Sequence, residues 1–166
     1  MKKSLMAAAA VAAALVAFPA AAQDGKEATW YASLGYSVID ADPFEFGAIT
    51  GRVGGRGQHF GVELDGSFGI DDDEVFGVDV ELEHAVAVYA VGFLPVGDNF
   101  ELLARIGYGN VSIGAGGGSF DDDAFTYGLG AHWRWDEHNG IRGDWTRYEF
   151  DGGDADGFTV SYVRTF

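Results

Sequence analysis

The sequence predicts an all-β fold in which eight antiparallel strands follow one another up and down around a barrel. Apolar residues recur at every second position, which is the period of a strand and not the 3.6-residue period of a helix. Glycine, of which the chain has 26, interrupts every such segment and disfavours a helix. Short and longer connections alternate along the chain, as in barrels whose loops differ between their two ends. A length of 166 residues suits one such domain.

The apolar periodicity places the eight strands at 28–39, 46–56, 60–70, 79–93, 100–111, 124–135, 140–150 and 157–166. Short connections are predicted near 57–59, 95–98 and 136–139, and longer polar ones near 40–45, 71–78, 112–123 and 151–156. The register is least certain in two strands. The second is rich in glycine and could shift. The fourth has Glu81 and Glu83 on the face of Tyr89, Val91 and Phe93, so either these acids lie beyond the apolar band or a bulge intervenes.

The amino terminus predicts a cleaved export signal at 1–22, followed by a barrel domain at 23–166. Lys2 and Lys3 form a charged start, 5–18 is an uncharged apolar run, and 19–22 supplies small residues for cleavage. The apolar run is shorter than the roughly 20 residues that a membrane-spanning helix needs, which disfavours an uncleaved anchor.

Composition excludes several classes of partner and site. The formal charge of −16 becomes more negative once Lys2 and Lys3 are removed, which disfavours a nucleic-acid partner and excludes an adhesive basic face for anionic lipid. The absence of cysteine excludes a disulfide framework and a thiolate metal site. No cofactor is predicted.

Aromatic residues mark both ends of the apolar strand faces and predict two girdles. Rims eight residues apart on tilted strands stand about 20 Å apart, close to the ~25 Å apolar band of a transmembrane barrel. At the end where the mature chain begins, the girdle comprises Trp30, Phe60, Phe93, Phe100, Trp133, Trp135 and Phe166. At the opposite end it comprises Tyr36, Phe68, Tyr108, Phe125 and Phe158.

The opposite strand faces are polar and predict a charged interior. An eight-stranded barrel encloses only enough room for side chains, and unpaired charges there would be costly, so cations and anions should pair and plug the lumen. The predicted network comprises Arg52, Arg56, Glu63, Asp65, Arg105, His132, Arg134, Arg142 and Asp144.

The chain resembles the OmpA/OmpX-type family of small eight-stranded outer-membrane barrels of Gram-negative bacteria. The resemblance covers nearly all of 23–166 and lies in the motifs at 51–56, 89–95, 107–109 and 127–130 and in the terminal Phe166. It implies an outer-membrane location among lipid and lipopolysaccharide, but no particular activity. It also implies that the barrel assembly machinery reads the last strand through Phe158, Val160, Tyr162 and Phe166. Arg164 departs from this pattern, since it stands on the lipid-facing side, where it could reach headgroups.

Candidate chemistry is limited. The acidic runs 71–74 and 121–123 offer oxygen ligands for hard cations but lack the spacing of a calcium loop, and solvated loop tips are the simpler interpretation. No nucleophile motif accompanies the histidines at 59, 84, 132 and 138, so a lipid hydrolase is disfavoured.

The sequence therefore predicts a monomeric, non-enzymatic outer-membrane barrel with a structural or surface-interaction role and an unidentified loop partner. Two alternatives remain. A narrow channel would require a continuous water path through the interior charges. A soluble periplasmic ligand-binding barrel of lipocalin type would require the apolar faces to point inward.

Overall fold

The computed structural model describes residues 28–41, 44–70, 73–75, 78–115 and 118–166. The predicted export signal at 1–22 lies outside these residues. The strands are β1 (Thr29–Ala41), β2 (Phe44–Arg56), β3 (Phe60–Gly69), β4 (Asp73–Val75), β5 (Val78–Pro95), β6 (Phe100–Ala115), β7 (Gly118–Arg134), β8 (Asn139–Phe150) and β9 (Gly153–Thr165). Within this part of the chain no helix is long and apolar enough to cross a membrane.

Eight of these strands close into an antiparallel up-and-down barrel, which confirms the predicted architecture. Each strand pairs with its neighbours in the order β1, β2, β3, β5, β6, β7, β8, β9, and β9 returns to β1. The remaining strand, β4, has three residues and pairs with β5 in the connection between β3 and β5. Closure leaves the barrel strands without a free edge, so their backbone groups are satisfied within the sheet.

The strands at one end of the barrel extend further than predicted. Pairing continues to Ala41↔Phe44 between β1 and β2, to Ala115↔Gly118 between β6 and β7, and to Phe150↔Gly153 between β8 and β9. The longer connections predicted near 40–45, 112–123 and 151–156 are therefore mostly strand, and that prediction was wrong. Polar residues there do not end the strand pairing, because the backbone groups remain hydrogen-bonded to each other while water solvates the side chains.

The two strands of uncertain register behave differently. β2 keeps a single register against β1 and β3, so its glycines cause no shift. β5 carries an irregularity against β6 between Leu82 and His84, which is the bulge that the sequence offered as one explanation.

Phe93 was placed in the wrong group, because it lies inside the barrel and not in a girdle. Its side chain is 5% exposed and packs edge-on against Tyr31, with ring centroids 6.4 Å apart. The guanidinium of Arg56 lies 3.8 Å above its ring. Both faces of β5 are apolar, so alternation could not distinguish them. The outward residue at this rim is Leu94.

The barrel is apolar outside and charged inside. Exposed side chains on the strands are mostly aliphatic and aromatic, while the buried ones include arginines, carboxylates, serines and threonines. This is the reverse of a soluble ligand-binding barrel and contradicts the lipocalin-like alternative. Glycines at inward positions make room for large side chains: the ring of Tyr31 occupies the space over Gly54, and Tyr89 lies over Gly107.

Candidate functional site: the charged interior

Three arginines and three carboxylates form a closed ring across the middle of the lumen, which we call the central ring. Each arginine bridges two carboxylates, and each carboxylate contacts two arginines. The members come from β2, β3, β6 and β8, so the ring joins strands on different sides of the barrel. Around the ring the order is Arg52, Asp65, Arg105, Glu63, Arg142 and Asp144.

The sheet register supplies the first contact of the central ring. Arg52 and Asp65 are direct partners across β2 and β3, and Arg52 Nε donates to Asp65 Oδ2 over 2.7 Å. Arg52 Nη1 then crosses the lumen to Asp144 Oδ2 at 2.6 Å. Arg105 Nη1 donates to the same Asp65 oxygen over 3.2 Å. One arginine thus ties neighbouring strands together while also reaching the far wall.

Glu63 anchors the other half of the ring. Both of its oxygens accept hydrogen bonds from Arg142, whose Nε also donates to Asp144 Oδ1 at 2.9 Å. Arg105 Nη1 lies 3.6 Å from Glu63 Oε2. The hydroxyl of Tyr31 donates to Glu63 Oε1 over 2.6 Å. Every side chain of the ring is at most 9% exposed, so these are charges held in a low-dielectric interior, where pairing decides their cost.

Hydroxyl groups continue the polar packing on one side of the ring. Ser37 Oγ lies 2.6 Å from Thr50 Oγ1 and 2.7 Å from Thr159 Oγ1, and Thr50 Oγ1 lies 2.8 Å from Ser67 Oγ. Arg105 separately donates from Nη2 to another hydroxyl, Thr146 Oγ1, over 2.5 Å. Hydroxyls both donate and accept, so such a layer can satisfy itself without water.

A second group, which we call the lower cluster, lies nearer the short turns and comprises Arg56, Glu101, His132 and Arg134. Glu101 Oε1 accepts from Arg56 Nη1 at 2.6 Å and lies 3.0 Å from His132 Nδ1. Arg134 Nη1 is 3.6 Å from Glu101 Oε2. The side chain of Glu101 is 1% exposed, but those of Arg56 and Arg134 are 15% and 29% exposed. Here one carboxylate faces a histidine and two arginines, and the arginines partly reach solvent.

A funnel of about 610 Å³ opens at the end of the short turns and reaches inward past the lower cluster to Arg142. On the far side of the central ring, a cavity of about 10 Å³ is lined by Asp65, Ser67, Tyr89 and Tyr148 among others. The second cavity has room for about one water molecule, and the two cavities share no lining residue. Ring residues therefore lie at the inner end of both spaces.

The structure places all nine residues of the predicted network in these two groups. Six form the central ring, and Arg56, His132 and Arg134 join the lower cluster. Glu101, the carboxylate on which the lower cluster is built, was not among the predicted residues. Its signal was the alternation Phe100, Glu101, Leu102, which puts Glu101 on the inward side beside a turn.

The other aromatic residues assigned to the girdles have exposed side chains. Strand pairing brings Phe100 opposite Trp133 at one end and Tyr108 opposite Phe125 at the other. The exposed residues nearer the short turns are Trp30, Phe60, Phe100, Trp133, Trp135 and Phe166. Those towards the opposite end are Tyr36, Phe68, Tyr108, Phe125 and Phe158.

The terminal strand closes the barrel with its apolar residues outward. Phe158, Val160, Tyr162 and Phe166 are all exposed. The backbone N–H of Phe166 donates to the carbonyl of Trp30 over 2.8 Å, which extends the pairing of β9 with β1 to the last residue.

The acidic runs yield no candidate metal site in the part of the chain that the structure describes. Asp71 and Asp72 of the first run lie outside the described residues. In the second run, Asp123 accepts a hydrogen bond from the Asn110 side chain, Nδ2 to Oδ1, over 3.3 Å.

Comparison with known proteins identifies the family. The model of the outer membrane protein beta-barrel domain matches residues 10–166. A search of curated proteins finds no match. The chain therefore belongs to the family of outer membrane protein β-barrel domains, and it is an integral protein of the outer membrane, as predicted.

Solved structures agree on the fold at low identity. Ail, the attachment invasion locus protein of Yersinia pestis, in complex with the heparin analogue sucrose octasulfate, is 14% identical with a TM-score of 0.64, covering 85% of this chain and 100% of that one. The N-terminal β-barrel domain of Pseudomonas aeruginosa OprF is 10% identical with a TM-score of 0.67, covering 83% and 97%. OprG of the same organism is 11% identical with a TM-score of 0.60, covering 85% and 97%.

Proposed function

We propose that this outer-membrane barrel is a monomeric, non-enzymatic component of the cell envelope, with a structural or surface-interaction role and a lumen closed by the central ring. The observation that carries the proposal is the ring itself. Its six charged side chains are buried and bonded from wall to wall between two separate cavities. A solute would have to pass through it.

The energetics of buried charge favour a ring that stays shut. Opening a path would separate at least one arginine from a carboxylate in a region that excludes water. Leaving such a charge without its partner costs about 3–5 kcal/mol. Each member of the ring has two partners of opposite charge, so moving one side chain disturbs two contacts. A barrel whose interior stays closed in this way fits a structural component of the envelope better than a channel.

The histidines support a role without catalysis. His132 Nδ1 lies against Glu101 and its Nε2 is buried without a hydrogen-bond partner in the described structure, so no hydroxyl nucleophile is placed to use it. His138 lies in an exposed turn. Neither histidine is thus paired with a hydroxyl that could act as a nucleophile.

A narrow channel is the second candidate, and the funnel favours it. The space of about 610 Å³ extends from the turns inward to Arg142. The lower cluster that lines it has two arginines for one carboxylate. A channel would nevertheless have to continue past Arg142, where the central ring begins.

The negative charge at the barrel end away from the short turns indicates which kind of surface partner could bind there. Exposed carboxylates there include Asp40, Glu45, Glu149, Asp151 and Asp154. Ail was solved with sucrose octasulfate, a polyanion. Because like charges repel, we expect the surface of this chain to disfavour such a ligand and to accept a cationic partner.

Deletion of the gene from its own bacterium separates the structural role from the channel role. The structural proposal expects cells that admit a normally excluded detergent or hydrophobic dye, while uptake of small polar solutes is unchanged. Cells with an intact barrier but slower uptake of small polar solutes would contradict the proposal and favour the channel. Complementation with the wild-type chain must restore the phenotype in either case.

We also propose that the outward face of β9 is the assembly signal. Phe166 and Phe60 provide a matched pair, because both are rim aromatics at the same end and are 72% and 71% exposed. Replacing either by Ala removes similar apolar area, and full burial of such a side chain is worth only ~1.5–3 kcal/mol. We expect Phe166→Ala to lower the amount of folded protein in the outer membrane and to leave protease-sensitive chain in the periplasm, whereas Phe60→Ala should not. Equal levels of the two variants would contradict the assignment.

A further inference from the structure

Arg164 is exceptional on the outside of the barrel. In the half of the barrel nearer the short turns, it is the charged side chain among outward strand positions that, in the described residues, are otherwise aliphatic, aromatic or glycine, apart from the amide of Asn139 at the start of β8. It lies on β9, where it pairs with Ala32 of β1 and Asn139 of β8. This is one pair away from the end of the strand, on the same outward face as the exposed Phe166 of the girdle near the short turns, and such girdles mark the boundary between hydrocarbon and headgroups.

The guanidinium of Arg164 is held in place by a neutral group. Its Nη1 donates to Asn139 Oδ1 over 2.9 Å, and the Tyr162 hydroxyl donates to the same oxygen. Asn139 Nδ2 in turn donates to both carboxylate oxygens of Asp136, each at 2.8 Å. The acid therefore orients the amide, and the amide orients the arginine, while the guanidinium keeps further donors for another acceptor.

A second outward arginine, at the opposite end of the barrel, shows the alternative arrangement. Arg147 donates to Asp156 over 2.5 Å and also to Asp154, so carboxylates of the chain already compensate its charge. In the described structure, Arg164 has only the Asn139 amide as its hydrogen-bond acceptor. The two arginines differ in whether the protein itself supplies the anion.

Aromatic residues adjoin the Asn139 that holds Arg164: the Tyr162 hydroxyl donates to its side-chain oxygen, and the backbone N–H of Trp135 donates to its carbonyl over 3.1 Å. The rings of Trp135 and Tyr162 lie 6.0 Å apart and those of Trp133 and Trp135 lie 6.1 Å apart, and all three side chains are exposed. Tryptophan and tyrosine concentrate at the interface between hydrocarbon and headgroups. Arg164 therefore lies next to aromatic residues of the kind that mark the headgroup region.

The short turns of outer-membrane barrels face the periplasm. We propose that Arg164, oriented by Asn139 beside Trp135 and Tyr162, binds the phosphate of an anionic phospholipid in the periplasmic leaflet. A planar guanidinium recognises phosphate through paired hydrogen bonds, and the acyl chains would lie on the apolar face above it. The inference needs the barrel to span the membrane but does not depend on the closed lumen.

Native mass spectrometry of protein purified in a non-ionic detergent tests the site, with dimyristoylphosphatidylglycerol as the titrated lipid. We expect Arg164→Gln to weaken binding of one lipid roughly tenfold, as for loss of a charge-assisted contact. Arg164→Lys keeps the charge without the paired geometry and should give a smaller loss. Arg147→Gln removes the same charge from the other end and should leave binding unchanged.

The controls decide the source of the anion. Dimyristoylglycerol has the same chains without phosphate and should bind weakly and equally to all variants. Wild-type affinity in Arg164→Gln, or an equal loss in Arg147→Gln, would overturn the proposal. Displacement of the lipid by millimolar inorganic phosphate would indicate a free-anion site and overturn the lipid assignment. If Arg164→Gln lacks the gel-mobility shift of a folded barrel on boiling, Arg164→Lys decides: reduced binding supports the site and unchanged binding overturns it.

Discussion

The central ring and the lower cluster use the same chemical groups but differ in balance and in access to water. The ring has equal numbers of arginines and carboxylates, and all are nearly inaccessible. The lower cluster has one carboxylate, Glu101, for two arginines and a histidine, and its arginines reach the funnel. The difference indicates that charge balance matters where water is excluded, whereas an imbalance is tolerated where solvent can screen it.

The largest effect should follow from Glu63→Gln in the central ring. The change keeps the volume but leaves Arg142 and Arg105 short of a carboxylate in the buried interior. Loss of one partner from a buried ion pair costs about 3–5 kcal/mol, so we expect the free energy of unfolding to fall by that amount. Equilibrium unfolding by urea in a detergent or lipid system measures it. If the free energy of unfolding decreased by less than about 1 kcal/mol, which is typical of an exposed ion pair, the claim that the ring excludes water would be contradicted.

Gly140→Ala probes how tightly the lower cluster is packed. An added Cβ would lie 2.3 Å from His132 Nε2 and 2.7 Å from the Trp133 carbonyl oxygen. We expect a destabilisation of about 1–3 kcal/mol, as for overpacking in a core. The matched control is Gly143→Ala on the same strand, where an added Cβ meets nothing within 4 Å. Equal unfolding midpoints for the two variants would show that the cluster can rearrange around His132.

Glu101→Gln is the counterpart of Glu63→Gln in the lower cluster. Arg56 and Arg134 lose their carboxylate but can turn towards the funnel, since both are already partly exposed. We expect a loss of roughly 1–2 kcal/mol, between the values for exposed and buried ion pairs. The same urea titration should therefore rank Glu101→Gln well below Glu63→Gln. A reversed ranking would remove the distinction between the two groups.

The smallest effect is expected outside the lumen, at Asp136 in the turn between β7 and β8. Hydrogen bonds from the Asn139 side chain and from the backbone N–H of His138 lower the pKa of this carboxyl group. A lowered pKa stabilises the fold above the unfolded-chain value of about 3.9, and this contribution disappears as the pH falls through the folded pKa. When the pH is lowered from 7 to below the folded pKa of Asp136, the melting temperature of the wild type should therefore fall slightly more than that of Asp136→Asn. An identical pH dependence would show that the turn contributes nothing.

Strand number and the polar interior could be predicted from the sequence because they depend on local alternation. Arg52 and Asp65 lie on inward positions of adjacent strands, where register brings them together. The bond from Arg52 to Asp144 joins residues 92 positions apart. No local pattern encodes such a contact, because it depends on barrel closure and on side-chain reach across the lumen.

The errors in the prediction have the same physical origin. Phe93 lies on a strand whose two faces are both apolar, so alternation gave no direction for its side chain. Glu101 follows the turn at 96–99 and was not part of the predicted network, although Arg56 and Arg134 supply it with cations from other strands. A charged side chain beside a turn can be solvated or buried. Which of the two occurs depends on whether oppositely charged residues from other strands lie close to it in the folded barrel.

Conductance across a planar bilayer reports whether the central ring closes the lumen to ions. The wild-type protein should show no stable current steps in concentrated salt. Arg142→Ala should show them, since Arg142 lines the inner end of the funnel and bridges Asp144 and Glu63 in the ring. Reproducible porin-like steps from the wild-type protein would contradict the account, because they would require a water path through the ring.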